Sequence, residues 1–216
     1  MNIGSDGGGM MEIKQLVEQL SDRKPVILGS EQFAKFAVLL PLIEKEGETH
    51  ILFEVRSLKM RRQPGEICFP GGRVDEGDKN EKYTAVRETT EELGITEQEI
   101  EVFASLDYMI TPFKTIIYPY VGRLPNSPSF TPNPSEVEEV FTVPIKHFLN
   151  EGAKIHYIDF KPELNGDFPY HQIPGGEKYK WQSRKMEEVF YYYEDRVIWG
   201  LTARILQHFL TLIQKN

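Results

Sequence analysis

Residues 81–93 contain neither glycine nor proline, and this uninterrupted stretch constrains the fold more than any other segment of the sequence. Ala85, Thr89 and Leu93 recur at every fourth position, which places them on one face of a helix, and Gly94 follows as a typical helix end. Short apolar runs bounded by glycine, proline and polar residues lie before and after it, and this is the pattern of strands. A helix enclosed by strands predicts an α+β fold with a mixed sheet rather than a regular βαβ array.

The other predicted elements lie on both sides of this helix. A first helix is expected in residues 11–24 and a closing helix in residues 196–213, because apolar residues recur there at helical spacing. Residues 154–194 mix aromatics with Gly-Pro breakers, which indicates an irregular set of strands. Strands are also predicted at 36–43, 50–55, 67–72 (running into a glycine turn), 101–109, 115–124 and 137–143, followed by a short turn or helix at 144–149.

The length of the chain, 216 residues, suits one domain, and no repeat or long internal linker divides it. Residues 1–10, MNIGSDGGGM, have low complexity and no apolar periodicity, so they are interpreted as a disordered leader or as residues added for expression. A single domain is therefore expected over residues 11–216.

The composition is that of a soluble globular protein, with 40% hydrophobic, 12% aromatic and 27% charged residues. No apolar run is long enough to span a membrane, and one cysteine with five scattered histidines indicates neither a disulfide framework nor a zinc site. The net charge of −8 argues against nucleic acid as a partner. We therefore expect a cytoplasmic protein, and the sequence leaves the oligomeric state open.

The central helix carries the motif R-E-x-x-E-E, from Arg87 to Glu92. Its three glutamates, Glu88, Glu91 and Glu92, fall within about one turn, so like charges are crowded together. Two interpretations are open: an exposed acidic helix face, or a set of oxygen ligands for a hard cation. The preceding sequence F-P-G-G, at 69–72, favours the second, because a glycine turn lets the backbone approach the carboxylates closely.

This arrangement resembles the signature of the Nudix hydrolase family, G-x5-E-x7-R-E-U-x-E-E-x-G-U. Here it reads Gly72, then Asp78, then R-E-T-T-E-E-L-G-I from Arg87 to Ile95. Asp78 replaces a glutamate, Arg87 lies nine rather than eight residues after it, and Thr89 occupies a position that is usually aliphatic. The resemblance implies a Nudix-like α/β/α sandwich with a mixed sheet, and hydrolysis of a nucleoside diphosphate linked to another group.

The Asp and the extra residue also occur in the Nudix subgroup that hydrolyses coenzyme A, whose upstream signature is R-S-x-x-L-R-x-H-x-G-Q-V-x-F-P-G-G. Residues 56–72 agree with it at most positions, although Gln63 stands for the His and Glu66 for the Gln. Residues 133–144 and 198–206 add similarity. The resemblance implies a metal-dependent diphosphatase that converts coenzyme A, or its acyl or oxidised forms, to 3′,5′-ADP and 4′-phosphopantetheine. Two alternatives are a Nudix hydrolase of ADP-ribose or nucleoside triphosphates, and a non-catalytic nucleotide-binding module.

From the resemblance, Glu88, Glu91 and Glu92 are expected to bind Mg²⁺ or Mn²⁺, joined by the backbone carbonyl of Gly71. Glu88, Glu91 and Arg87 are the expected catalytic residues, with Arg87 orienting a glutamate through a bidentate contact. The proton of the attacking water would pass to Glu88 or to a carboxylate outside the motif. The candidates outside the motif are Glu136, Glu138 and Glu139.

A basic cluster precedes the glycine turn and contains Arg56, Lys59, Arg61 and Arg62. It is either a solvated loop or a clamp for the 3′-phosphate of coenzyme A, because arginine is well suited to bind phosphate. The second interpretation makes Arg56, Arg61 and Arg62, together with Gly72, the expected substrate-binding residues.

Overall fold

The structure is a computed structural model, and it describes residues 13–125 and 130–214. The predicted leader, residues 1–10, lies outside the described residues. The described residues divide into two compact units, with the boundary between Phe33 and Ala34. That residues 11–216 form one domain therefore stays a prediction.

The first unit contains α1 (Ile13–Leu20) and a short 3-10 turn at Ser30–Gln32. The predicted first helix is thus present, but it ends at Leu20, and residues 21–24, which the prediction included, are not helical. Its apolar residues are exposed, with 79% of Ile13 and 58% of Leu20 accessible to solvent.

The second unit contains eleven strands and three α-helices among its described residues, and each segment predicted within it overlaps one or more of these elements. The strands are β1 (Ala34–Lys45), β2 (Glu48–Arg56), β3 (Ile67–Cys68), β4 (Gly71–Arg73), β5 (Glu101–Ser105), β6 (Met109–Thr111), β7 (Thr115–Arg123), β8 (Val137–Pro144), β9 (Lys154–Phe160), β10 (Arg184–Tyr193) and β11 (Arg196–Trp199). The helices are α2 (Glu81–Leu93), α3 (Ile145–Glu151) and α4 (Gly200–Gln214).

Eight strands form one mixed sheet, in which β1 runs parallel to β7 and the other pairings are antiparallel. β1 and β2 are joined by a tight turn in which Glu46 and Gly47 both have positive φ, as two-residue hairpin turns require. The remaining strands, β9, β10 and β11, form a separate antiparallel sheet. Strand pairing in both directions confirms the predicted α+β class.

Helices cover both faces of the eight-stranded sheet. Leu93 of α2 packs with Leu39 and Leu52 on one face, whereas α3 and α4 pack with Leu40 and Phe53 on the other. The burial of alternate strand residues against opposite helices is the α/β/α sandwich that the resemblance implied.

The glycine turn lies where β1 and β2 separate. They pair with each other only near the hairpin, over Leu42–Lys45 and Glu48–Ile51. Farther along, β4 pairs with β1 at 36–38 and β3 pairs with β2 at 54–55. The Phe69-Pro70 step between β3 and β4 therefore crosses the gap in the sheet and brings the glycines to α2.

Two further predicted boundaries, both within residues 34–216, were wrong. The strand expected at 101–109 is divided into β5 and β6, because residues 106–108 leave the ladder with β7. The closing helix starts at Gly200 rather than at Arg196, since residues 196–199 pair with β10 and Gly200 has a φ of 64°. In the described residues, no helix has the length and apolar character needed to cross a membrane.

Candidate active site

Helix α2 is fixed at both ends by local interactions that the sequence encodes. Asn80 caps its first turn, with the side chain accepting the backbone N–H of Tyr83 at 2.9 Å. Gly94 ends it with a φ of 65°, and a side chain at this position would collide with the carbonyl of Thr131. The helix is thereby held with its acidic motif against β4.

Arg87 binds Asp78 through two charge-assisted hydrogen bonds, from Nε at 3.0 Å and from Nη2 at 3.1 Å. Thr84 adds a third hydrogen bond to the same carboxylate at 2.8 Å. The Arg87 guanidinium holds the pKa of Asp78 well below its ordinary value, and the pKa of Arg87 is raised in return. The bidentate contact predicted for Arg87 therefore goes to an aspartate in the loop, which anchors that loop to α2.

The same guanidinium contacts two glutamates of the motif. Its Nη2 lies 2.7 Å from Glu88 and its Nη1 lies 3.4 Å from Glu91. Glu91 is exposed, with 53% of its side chain accessible, whereas only 18% of the Glu88 side chain is accessible. Burial raises the pKa of Glu88, and the charge of Arg87 opposes that shift.

Glu92 is buried, with 5% exposure, and one of its oxygens accepts the backbone N–H of Gly71 at 2.7 Å. Burial, and then the negative charge of Glu54, raise the pKa of Glu92 well above its ordinary value. The glycines are needed for this close approach. A side chain at Gly71 would overlap the backbone of β1, and one at Gly72 would overlap the carboxylate of Glu88.

Glu88 and Glu92 open into a cavity of about 720 Å³, and Glu91 does not line it. Gly71, Gly72, Arg56 and Arg62 also line this cavity, together with Glu136. Arg61 is exposed and lies outside the lining. The structure thus brings most of the predicted site residues to one cavity but leaves Arg87, Glu91 and Arg61 outside its lining.

The alternative proton acceptors occupy different surroundings. Glu136 faces the cavity, whereas Glu139 is held by Arg196 through hydrogen bonds of 2.8 and 2.9 Å. Glu138 is exposed and is not among the lining residues. Of the three, Glu136 is the carboxylate placed to act in the cavity.

A divalent cation fits the chemistry of this donor set, although no three His, Cys, Asp or Glu side chains among the described residues already form a metal-binding group. The side chains around Glu92 are carboxylates, which hard cations prefer. Glu54, Glu88 and Glu136 all raise the pKa of Glu92 through their negative charges. Oε2 of Glu54 is buried with no hydrogen-bond partner. Oxygen donors with uncompensated charge are what a site for Mg²⁺ or Mn²⁺ requires.

Sequence reasoning missed Glu54 and gave Cys68 no role, yet the two are adjacent beside Glu92. Cys68 donates its thiol hydrogen to Oε1 of Glu54 at 3.3 Å, and burial raises the pKa of that thiol well above its ordinary value. The available signal was a glutamate within the apolar run I-L-F-E-V of β2. A charged residue in a buried strand requires a partner.

The departures from the two signatures also have local explanations. Gln63 and Glu66, which both differ from the subgroup pattern, bind each other at 2.9 Å. Thr89 is buried in α2 and donates its hydroxyl hydrogen to the carbonyl of Ala85 at 2.6 Å, so its polar atom is satisfied.

A mixed sheet between helices, with a glycine turn against an acidic helix, defines the architecture of a nucleotide pyrophosphohydrolase of the Nudix type. Residues 34–164 match the family described as the NUDIX domain. The chain belongs to the Nudix family, which confirms the predicted family and its enzyme class.

Curated relatives support the same family and the predicted subgroup. The Peroxisomal coenzyme A diphosphatase NUDT7 of Mus musculus is 38% identical over 137 residues, which are 63% of this chain and 57% of that protein. The Mitochondrial coenzyme A diphosphatase NUDT8 of Homo sapiens is 36% identical over 83% of this chain and 70% of its own length. An uncharacterized Nudix hydrolase, NudL of Photorhabdus laumondii, is 33% identical over 82% of this chain and 84% of its length.

The solved structures with a similar fold are more distant. A MutT/nudix family protein from Enterococcus faecalis aligns with 95% of this chain and 70% of its own, at 15% identity and a TM-score of 0.48.

Proposed function

We propose that this protein hydrolyses the pyrophosphate bond of coenzyme A, or of its acyl or oxidised forms, to 3′,5′-ADP and 4′-phosphopantetheine. The observation that carries the proposal is the cavity, which joins the carboxylates Glu88 and Glu92 to four arginines, Arg56 and Arg62 among them, and to an apolar wall. The names of the mouse and human relatives, both coenzyme A diphosphatases, support this substrate class.

The acidic part of the cavity is where a divalent ion would be held, by Glu88 and Glu92, with Glu91 and the carbonyl of Gly71 as further predicted ligands. Bound Mg²⁺ or Mn²⁺ would neutralise the pyrophosphate, polarise its phosphorus–oxygen bonds and lower the pKa of a bound water. Arg87 fixes the loop and orients Glu88. Its ion pair with Glu88 leaves Glu136 as the proposed acceptor of the proton from the attacking water.

The remaining parts of the cavity suit the rest of coenzyme A. Arg56 and Arg62 can bind its phosphates by charge-assisted hydrogen bonds, and Nε of Arg56 is buried with no hydrogen-bond partner among the described residues. Apolar side chains from the β6 region and the start of α4 form another wall, which suits the pantetheine arm and an acyl group. This wall includes Met109, Phe113, Trp199 and Ile205.

Comparing substrates under one metal condition tests the proposal. We expect kcat/KM to be highest for coenzyme A or an acyl derivative, with 4′-phosphopantetheine among the products. Higher values for ADP-ribose or a nucleoside triphosphate would replace the substrate class but keep the enzyme class. Turnover of none of them would support the non-catalytic nucleotide-binding module.

The basic cluster gives a second test, because Arg62 lines the cavity and its neighbour Arg61 does not. Arg62→Ala should lower kcat/KM on coenzyme A roughly 10- to 150-fold, as expected for loss of one charge-assisted contact. Arg61→Ala is the matched control and should cost less, because Arg61 lies outside the lining. If Arg62 binds the 3′-phosphate, Arg62→Ala should lose little on dephospho-coenzyme A. A larger loss for Arg61→Ala would indicate that Arg61, rather than Arg62, binds the 3′-phosphate.

The cellular location of the protein and its partner class stay predictions. The acidic composition argues against nucleic acid as a partner, and a cytoplasmic location is proposed from the sequence. The mouse and human relatives are named as peroxisomal and mitochondrial proteins, respectively. Fractionation of cells that produce the protein would decide among these locations.

A further inference from the structure

Glu54 occupies a position in β2 where an apolar side chain is expected. Ile51 and Phe53 point to the core that contains α3 and α4, whereas Leu52 packs in the core that contains α2. Because side chains alternate along a strand, Glu54 shares the α2 side of the sheet with Leu52. It is 1% exposed, so its carboxylate is enclosed by protein.

Only one of the two carboxylate oxygens of Glu54 has a hydrogen-bond partner among the described residues. Cys68, which is its cross-strand neighbour on β3, donates its thiol hydrogen to Oε1 at 3.3 Å. Oε2 is buried with no hydrogen-bond partner among the described residues. A thiol is a weak and uncharged donor, so Cys68 does not compensate a buried negative charge.

The charges around Glu54 are mostly of the same sign. Glu136 and Glu88 act on it with negative charge, and Arg56 is the opposing cation. The charge of Glu54 is in turn the largest charge effect on Glu92. Burial raises the pKa of Glu54 to about 7. Glu54 itself does not line the cavity, but its neighbours Cys68 and Glu92 do. Glu54 and Glu92 are therefore two neighbouring buried carboxylates, of which Glu92 opens into the cavity and Glu54 lies behind it.

We propose that Glu54 is a further carboxylate of the divalent-cation site, acting beside Glu92 from its buried position on β2. This inference rests on the proposed metal-dependent function. It adds to the site a residue that lies more than thirty positions before the R-E-x-x-E-E motif, on β2 rather than on α2. The reasons for the assignment are its buried oxygen, which has no hydrogen-bond partner among the described residues, and its contact with Cys68, which lines the cavity.

The competing explanation is that Glu54 is a neutral core residue that only binds Cys68. Glu54→Gln separates the two, because the amide keeps the size and an acceptor for Cys68 but removes the charge. Glu54→Leu is a second variant that should fold, since Leu52 already occupies the same face of β2. Glu187→Gln is the matched control, because it removes one carboxylate from an exposed position on β10.

The experiment measures Mn²⁺ binding by metal-free protein without substrate, together with thermal unfolding with and without Mn²⁺ at pH 8. We expect Glu54→Gln and Glu54→Leu to weaken Mn²⁺ binding about tenfold or more, the range found when supporting groups of metal sites are removed. Without metal, both variants should unfold at a higher temperature than the unmodified protein, because a buried repelling charge is gone. Glu187→Gln should match the unmodified protein in both measurements.

Unchanged Mn²⁺ affinity in Glu54→Gln and Glu54→Leu would overturn the inference, whatever their stability. If the unmodified protein itself binds no Mn²⁺, the proposed metal-dependent function fails as well. Failure of Glu54 alone, with Mn²⁺ binding intact in the unmodified protein, leaves the proposed function standing.

Discussion

Carboxylates lie on two sides of α2, the outer side and the inner side. Those on the outer side are paired with a cation, and those on the inner side are not. On the outer side, Asp78 and Glu91 are arranged around the guanidinium of Arg87, which also contacts Glu88 at the cavity. On the inner side, Glu92 and Glu54 are buried next to each other, with one backbone N–H and one thiol as hydrogen-bond donors. Arg87 and Glu92, which belong to the two sides, are less than two helical turns apart along α2.

The difference separates carboxylates that build the fold from carboxylates that the fold leaves uncompensated. Arg87 lowers the pKa of Asp78, whereas burial and neighbouring negative charges raise the pKa values of Glu54 and Glu92. A buried charge without a partner destabilises a protein and is retained where it binds something. The inner pair is therefore the part of the acidic motif most specific to cation binding.

The largest expected effect is on the inner side, in Glu92→Gln. The amide can still accept the N–H of Gly71 but loses the charge that would hold the cation, so the hydrolysis rate should fall on the order of a thousandfold. The metal-free variant should be as stable as the unmodified protein or slightly more so. The measurements are steady-state kinetics and urea unfolding in chelator.

Glu91→Gln is the matched control, because Glu91 belongs to the same motif but is exposed and outside the cavity lining. It should cost less activity than Glu92→Gln. Full activity of Glu92→Gln at saturating Mg²⁺ would contradict the assignment of cation binding to the inner side.

On the outer side, Arg87→Gln should destabilise the metal-free protein. It leaves the carboxylate of Asp78, whose side chain is only 5% accessible, without its cation. We expect a loss of roughly 1.5 to 3 kcal/mol in the free energy of unfolding, the range for hydrogen bonds to charged groups. Urea unfolding in chelator measures it, with the exposed Arg184→Gln on β10 as the control. Unchanged stability would mean that Arg87 and Asp78 contribute no more than a surface ion pair.

The smallest effect, and one that reports both sides at once, is the pH dependence of stability without metal. Glu54, Glu88 and Glu92 have raised pKa values, so between about pH 5 and 7 the folded protein binds more protons than the unfolded chain. Stability should therefore fall as the pH rises through that window. Asp78 has a lowered pKa, so its contribution is present above about pH 4 and is lost as the pH falls below it.

Urea unfolding at several pH values in chelator measures this profile. Glu54→Gln should reduce the decline between pH 5 and 7, whereas Arg87→Gln should reduce the loss below pH 4. If the decline in stability between pH 5 and 7 is identical in Glu54→Gln and the unmodified protein, that decline does not come from the carboxylates of the inner side.

Local sequence patterns predicted α2 well, because its cap, its spacing and Gly94 are all encoded within residues 80–94. The strand at 196–199 was missed since the helical spacing of apolar residues continues through it, and only pairing with β10 makes it a strand. Glu54 was missed for a similar reason. Its role depends on β2 passing beneath α2, which brings together residues nearly forty positions apart.

The exposure of Glu91 and Arg61 also could not be read from spacing. Motif positions locate residues on a helix or loop, but the direction of each side chain depends on what packs beside it. Arg87 draws Glu91 outward, and the loop after Arg56 turns Arg62 rather than Arg61 toward the cavity.

The central claim is that the uncompensated carboxylates serve a divalent cation in the hydrolysis of coenzyme A. It is tested most directly by the release of 4′-phosphopantetheine from coenzyme A before chelation, after chelation, and after Mg²⁺ or Mn²⁺ is added back. The account predicts release that disappears with chelator and returns with either ion. Release that persists undiminished in chelator, or no release with either ion, would contradict it.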